Sequence, residues 1–271
     1  MQYSALIVLA VISGLAIAAP AAEPRDLVAR DCAKAIRSFN LERRAKRGLD
    51  RRSMITSIPN LSNACIAAPN VPLLNYVAQP PIRADVTEGQ EGIPLILDVG
   101  VMDVTTCTPM TNTMVEVWSP NAQGNYGSFL RGAQATSSSG IVEFQTIFPG
   151  FPSGAANHIN LMVHQNTMTS PVSHVGQVFF TDRWTDVVSL KAPYNTNTNV
   201  RMTNAQDPAY AKASAQGYSA IVDIESIHDD WPEGVIGYIS KCTNVMVVFV
   251  DDIDEFDTRT LAMGVNPTRA S

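Results

Sequence analysis

The sequence predicts a mainly β protein, an antiparallel β-sandwich preceded by a short helical segment. Three observations predict it. Short runs rich in Val, Ile and Phe follow one another from residue 93 onward. The residues between them are Gly, Pro, Asn, Ser and Thr, the types that turn a chain. Apolar and polar side chains alternate in His158 to His164, the period of a strand with one face in a core. Regularly spaced strands with long polar connections fit an antiparallel sandwich rather than a parallel α/β sheet. The chain has 271 residues, 45% of them hydrophobic and 16% charged, which is ample for a core.

Taken in order, residues 1–21 read as a signal peptide. Ala5 to Ala18 is an apolar run too short to span a bilayer comfortably, and Ala16-Ile-Ala18 and Ala19-Pro-Ala21 both fit a signal-peptidase site. The run lacks the basic residues that usually precede such a segment. It implies a secreted, extracellular protein. Residues 22–52 form a basic segment: ten of the nineteen Lys and Arg lie between 23 and 52, with dibasic pairs at Arg43-Arg44 and Arg51-Arg52. Two readings stay open, a processed pro-segment or an N-terminal helix that stays attached and packs loosely. Residues 53–250 are the sandwich, and 251–271 an acidic then flexible tail. The net charge of −6 becomes more negative if the basic segment is removed, which argues against nucleic acid or an anionic membrane as partner.

The expected strands are Ile93 to Val104, Met114 to Trp118, Ile141 to Phe148, His158 to His164, Gly176 to Phe180, Ala220 to Ile224, Val235 to Ser240 and Val245 to Val250. Pro193 to Asn199 reads as a loop and Asp207 to Gln216 as a short helix. There is no internal repeat. Cys32, Cys65, Cys107 and Cys242 suit two disulfides in an oxidising compartment and lack zinc-site spacing. Because Cys107 ends a strand-like run and Cys65 begins the globular part, a Cys65–Cys107 bond is expected. Cys242 is then left to pair with Cys32 or to remain free. The one Asn-x-Ser/Thr sequon is Asn60-Leu-Ser62.

The face of His158 to His164 that carries His158, Asn160, Met162 and His164 could line a pocket. It is read together with Val117 to Tyr126, which holds the pattern Trp118-x-x-Asn121-x-x-Gly124-x-Tyr126, and with Phe148-Pro-Gly-Phe-Pro152. With Ile82 to Pro94, Phe129-Leu-Arg-Gly132, Gly140 to Gly150, His174 to Phe180 and Pro193 to Thr198, these blocks make residues 65–243 resemble the secreted fungal branch of the intradiol ring-cleavage dioxygenases. The resemblance implies the β-sandwich of that family and opening of catechol rings at a non-haem Fe(III) held by two tyrosinates and two histidines, a hard donor set suited to Fe(III). It places the first tyrosine on Tyr126 and the first histidine on His158. The second tyrosine falls on Pro152, the second histidine on Asn160 and a catalytic arginine on Ala155. Proline has no side-chain donor and neutral Asn is a poor substitute for imidazole. Such a degenerate site should hold iron weakly, with ordinary ring cleavage weak or absent unless Tyr76 or His164 completes it.

His164 and His174 read as strand residues with local hydrogen bonds, and His228, beside Asp229 and Asp230, as a surface residue. Trp118, Trp184 and Trp231 are isolated and read as packing. No phosphate loop, Gly-x-Ser-x-Gly elbow or His-Glu-x-x-His helix is present. Three functions remain: an iron enzyme for catechol-like aromatics; a metal-free isomerase, cyclase or hydrolase using Tyr126 and His158 as acid and base; or a secreted binding protein that keeps only the sandwich.

Overall fold

A computed structural model of the chain describes residues 32–47, 71, 74–103, 105–215, 219–227 and 231–243. The expected signal peptide, the acidic tail, the strand Val245 to Val250, the Asn60 sequon, Cys65, the Arg51-Arg52 pair and His228 lie outside the described residues.

Two sheets face each other. One contains β1 (Pro94–Asp103), β2 (Thr108–Pro109), β5 (Ile141–Ile147), β8 (Asp223–Ser226) and β9 (Val235–Thr243), in the order β2-β1-β9-β8 with β5 also paired to β1. The other runs β4 (Arg131–Ala135), β3 (Met114–Trp118), β6 (His158–His164), β7 (Val172–Phe179). Inward residues Leu95, Leu97 and Val99 of β1, Phe144 of β5, Val115 and Val117 of β3, and Ile159, Leu161 and Val163 of β6 make one core. The period-2 alternation therefore sorts side chains as expected. Between the named strands pairing is antiparallel except for β1 and β9, which run parallel in register from Leu95↔Val235 to Asp103↔Thr243.

Several elements were not anticipated, among them the two-residue β2, the strand β4 and a helix after β7. The strand β4 reads Arg-Gly-Ala-Gln-Ala, without β-branched residues, and forms because it pairs with β3 from Met114↔Ala135 to Trp118↔Arg131. The helix α2 (Asp182–Ser189) starts where the Thr181 side chain accepts the Trp184 amide. The short helix α3 spans Pro208–Ala213, capped by Asp207, within the expected stretch.

The basic segment contributes α1 (Ala33–Lys46), and it is not loosely packed. It lies on the outer face of β1, where Gly100 makes room: a Cβ there would fall 2.4 Å from the Phe39 ring. Arg43 enters the interior and donates to Asp98 at 2.7 Å and to the Ile239 carbonyl at 3.1 Å, with both ionic side chains nearly inaccessible. Arg44 bonds Asp223 and Glu225, and Arg47 bonds Glu143. The Tyr238 ring lies beneath all three guanidinium groups. Opposite charges placed on β1, β5 and β8 thus select this docking.

The disulfide is Cys32–Cys107, with Cα atoms 5.3 Å apart, and not the expected Cys65–Cys107 pair. Asp103 accepts from the backbone and hydroxyl of Thr105 and closes the turn after β1. That turn presents Cys107 to the start of α1, where Cys32 waits. The expectation chose Cys65 because it begins the globular part of the sequence, whereas the docking of α1 brings Cys32 to Cys107.

The bond closes a separation of 75 residues. Replacing Cys32 and Cys107 with serine should lower stability by about 4 kcal/mol in the chain-entropy account, read from urea unfolding. Arg43→Met removes the hydrogen-bonded cation from buried Asp98 and leaves it only Arg47 at 3.5 Å, and should lower stability by about 3 kcal/mol. An unchanged urea midpoint would contradict the docking described here.

Candidate functional site

Tyr126 sits in the loop between β3 and β4, and the residues of its motif build that loop. The Asn121 side-chain oxygen accepts the amides of Gln123 and Asn125 at 3.1 and 3.0 Å. Gly124 has φ +76°, and a Cβ there would lie 2.1 Å from the Phe151 carbonyl oxygen. Gly150 is as confined, its hypothetical Cβ falling 2.1 Å from the Ala122 oxygen. The Phe148-Pro-Gly turn and the Asn121 loop therefore press backbone against backbone, and only glycine permits it. This contact aims Tyr126 at the start of β6.

Every residue of β6 is buried. Residues Val71 and Leu74 to Tyr76 lie across its sheet: the Val71 amide donates to the Val175 carbonyl, Trp118 Nε1 to the Leu74 carbonyl, and Tyr76 packs edge-on against Trp118. The Tyr210 ring covers Phe179 from α3. Polar side chains on this face must satisfy one another.

They do so in a chain. The Tyr126 hydroxyl lies 2.8 Å from His158 Nε2. His158 Nδ1 lies 2.7 Å from the Ala156 carbonyl oxygen, which can only accept, so Nδ1 carries the proton and Nε2 accepts from the phenol. Asn160 Nδ2 donates to the Tyr126 oxygen at 2.9 Å. Gln177 Nε2 lies 3.0 Å from Asn160 Oδ1 and 3.1 Å from His158 Nε2. Burial holds His158 below its ordinary value, keeping the imidazole neutral, and holds Tyr126 well above its own, despite the bond from Asn160 and the charge of Arg131. A neutral acceptor and an un-ionised phenol form a proton-sharing pair.

The structure thus brings Tyr126, His158 and Asn160 together. Gln177, within a block singled out above but given no role, belongs with them. Register could have found it, since Gln177 faces Asn160 across β6 and β7. Pro152 is buried in the turn after Phe151 and offers no donor atom, and Ala155 supplies no cation. Tyr76 and His164 do not complete the set, because both turn to Glu116. Tyr76 donates to it at 3.4 Å, and His164 bonds it through Nε2 while Nδ1 reaches the Ser170 carbonyl at 3.1 Å.

These residues do not fit a ferric centre. Tyr126 Oη and His158 Nε2, the phenol and imidazole donor atoms, are bonded to each other. Asn160 and Gln177 turn N–H groups toward them where lone pairs would be required. Among the described residues, no cluster of three or more His, Cys, Asp or Glu side chains could hold a metal.

The Glu116–His164 pair has a pH consequence. Both ring nitrogens of His164 face acceptors, so the imidazolium is favoured. Burial opposes this, but the hydrogen bond to Glu116, the Ser170 carbonyl and the Glu116 charge raise His164 above its ordinary 6.5. A raised pKa contributes stability that is fully present below the unfolded value and lost as pH rises through the folded one. The urea midpoint should fall across that window on the alkaline side of pH 6.5, and His164→Gln should flatten the fall. An equal slope in the variant would remove His164 as its cause.

No protein-family model matches the chain, and no curated protein does. Solved structures do. An intradiol ring-cleavage dioxygenase from Tetranychus urticae is 28% identical, with a TM-score of 0.59 over 66% of this chain and 95% of that one. A crystal structure of a second dioxygenase is 27% identical, with a TM-score of 0.56 over 66% of this chain and 92% of its own. Two facing sheets, few helices and these similarities give the chain the β-sandwich fold of the intradiol ring-cleavage dioxygenases.

Proposed function

We propose that the chain is a secreted intradiol dioxygenase-like protein that takes up a small catechol-type or related aromatic at the Tyr126–His158 site, with ordinary ferric ring cleavage lost. The observation that carries this reading is the Asn160 amide donating to the Tyr126 oxygen. At that place the resemblance calls for a second imidazole, and a hydrogen-bond donor stands there instead. The similar solved structures are named as dioxygenases, which supports an aromatic ligand. The charge-free composition of Ala5 to Ala18 supports secretion.

One observation favours a second reading, metal-free acid–base chemistry on the same ligand. His158 is neutral with its tautomer set by Ala156, so Nε2 can accept a proton, while Tyr126 keeps one to give. An isomerisation, cyclisation or hydrolysis of an aromatic-derived compound would use the pair in this way.

Protein purified from culture medium should contain iron far below one equivalent, show no visible tyrosinate-to-iron colour and turn over catechol no faster than a His158→Ala variant. It should nevertheless bind small phenols, read by calorimetry. Stoichiometric ferric iron with ordinary catechol turnover would overturn the reading. Absence of any aromatic binding would leave the fold serving as a protein-binding scaffold.

A further inference from the structure

The pair Arg43-Arg44 is the kind of sequence that a paired-basic endoprotease cuts, yet the folded chain withholds it. Such an enzyme takes its substrate as an extended strand, with successive side chains in separate pockets. Arg43 and Arg44 are instead helical and 4% exposed each, and both guanidinium groups are engaged by carboxylates on β1 and β8. Cleavage there requires α1 to leave its seat.

The contacts that oppose its leaving are few. The buried apolar side chains are Ile36 and Phe39, with Cys32 just ahead of the first turn, and they meet Met102. The rest are ion pairs and cation–π contacts. When α1 departs as a unit, both members of each pair regain water, so the pairs resist departure less than they resist the loss of one partner. The covalent tie is Cys32–Cys107, at the residue that precedes α1. Its two halves are unequally sheltered. Cys32 is buried, whereas Cys107 is partly exposed between exposed Thr106 and Thr108.

We propose that Arg43-Arg44 is a conditional processing site gated by Cys32–Cys107: a small thiol opens the bond, α1 lifts from β1, and a paired-basic endoprotease cuts between Arg44 and Ala45. A thiolate attacks the accessible Cys107 sulfur and Cys32 leaves as a thiolate. A second thiol resolves the mixed disulfide, so that two small thiols become one disulfide while Cys32 and Cys107 become thiols. Cys32 is the N-cap residue of a fourteen-residue helix, an end that favours negative charge on the departing sulfur. Water then hydrolyses the Arg44–Ala45 amide, leaving a carboxylate on Arg44 and an amine on Ala45. Chains that keep the bond keep α1, and those that lose it are marked by the cut.

The test exposes the full chain to a paired-basic endoprotease with and without a dithiol reductant, and reads new N-termini by mass spectrometry while near-ultraviolet circular dichroism follows the sandwich. With the bond intact, no fragment should begin at Ala45. Reduction should speed that cut by about tenfold or more, and the Cys32→Ser/Cys107→Ser variant should be cut as fast without reductant. Arg44→Gln should abolish the fragment under every condition. Equal cutting of the oxidised and reduced wild type would overturn the proposal, as would reduced protein that is never cut before Ala45. A cut that appears only after the near-ultraviolet signal is lost would overturn it too, by making global unfolding the cause. Should the double variant fail to fold, the reduced wild type decides alone.

Discussion

The burial of both faces of β6 is the constraint from which the character of the site follows. A strand with one face in water can carry polar side chains without consequence, because solvent satisfies them. Here solvent is excluded, so His158, Asn160 and His164 must each find a partner inside the protein. His158 and Asn160 share Tyr126 and Gln177, and His164 takes Glu116. The two clusters are kept apart by Met162, which lies between them on the same face. One is neutral and proton-sharing, the other charged, and the difference arises from what faces each imidazole.

The same constraint explains why a tyrosine, a histidine and two amides bond to one another. The Asn160 amide directs an N–H at the Tyr126 oxygen, and the side chains form a hydrogen-bonded chain ending at the Ala156 carbonyl. Gln177 Oε1 is the exception, buried with no hydrogen-bond partner. It leaves the chain with one unused acceptor directed into the protein.

Much of the sandwich was legible because burial writes a period into β1, β3, β5 and β6. The cluster of Tyr126, His158 and Asn160 was legible through the resemblance, which places a tyrosine at the end of the Trp118 to Tyr126 block and a His-x-His pair at His158 and Asn160. What stayed hidden depended on contacts distant in sequence. Nothing in Arg131 to Ala135 marks a strand until β3 is beside it. The seat of α1 is written in Asp98, Glu143, Asp223 and Glu225, acidic residues spread over three strands whose convergence only the folded sheet reveals. Cys32 escaped for the same reason, since its partner is chosen by that docking.

The parallel pairing of β1 with β9 also sets an order of events. The two strands lie about 140 residues apart in the chain, and during synthesis β1 emerges long before its neighbour. Until β9 arrives, β1 has β5 on one side and an unpaired apolar edge on the other, the kind of edge that recruits foreign strands. The seat of α1 waits as well, because Arg43 needs the Ile239 carbonyl and the three arginines need the Tyr238 ring, both supplied by β9. The helix α1, made early, is therefore among the last of the described parts to settle. The chain's exposure to aggregation is concentrated in the interval before β9 is released.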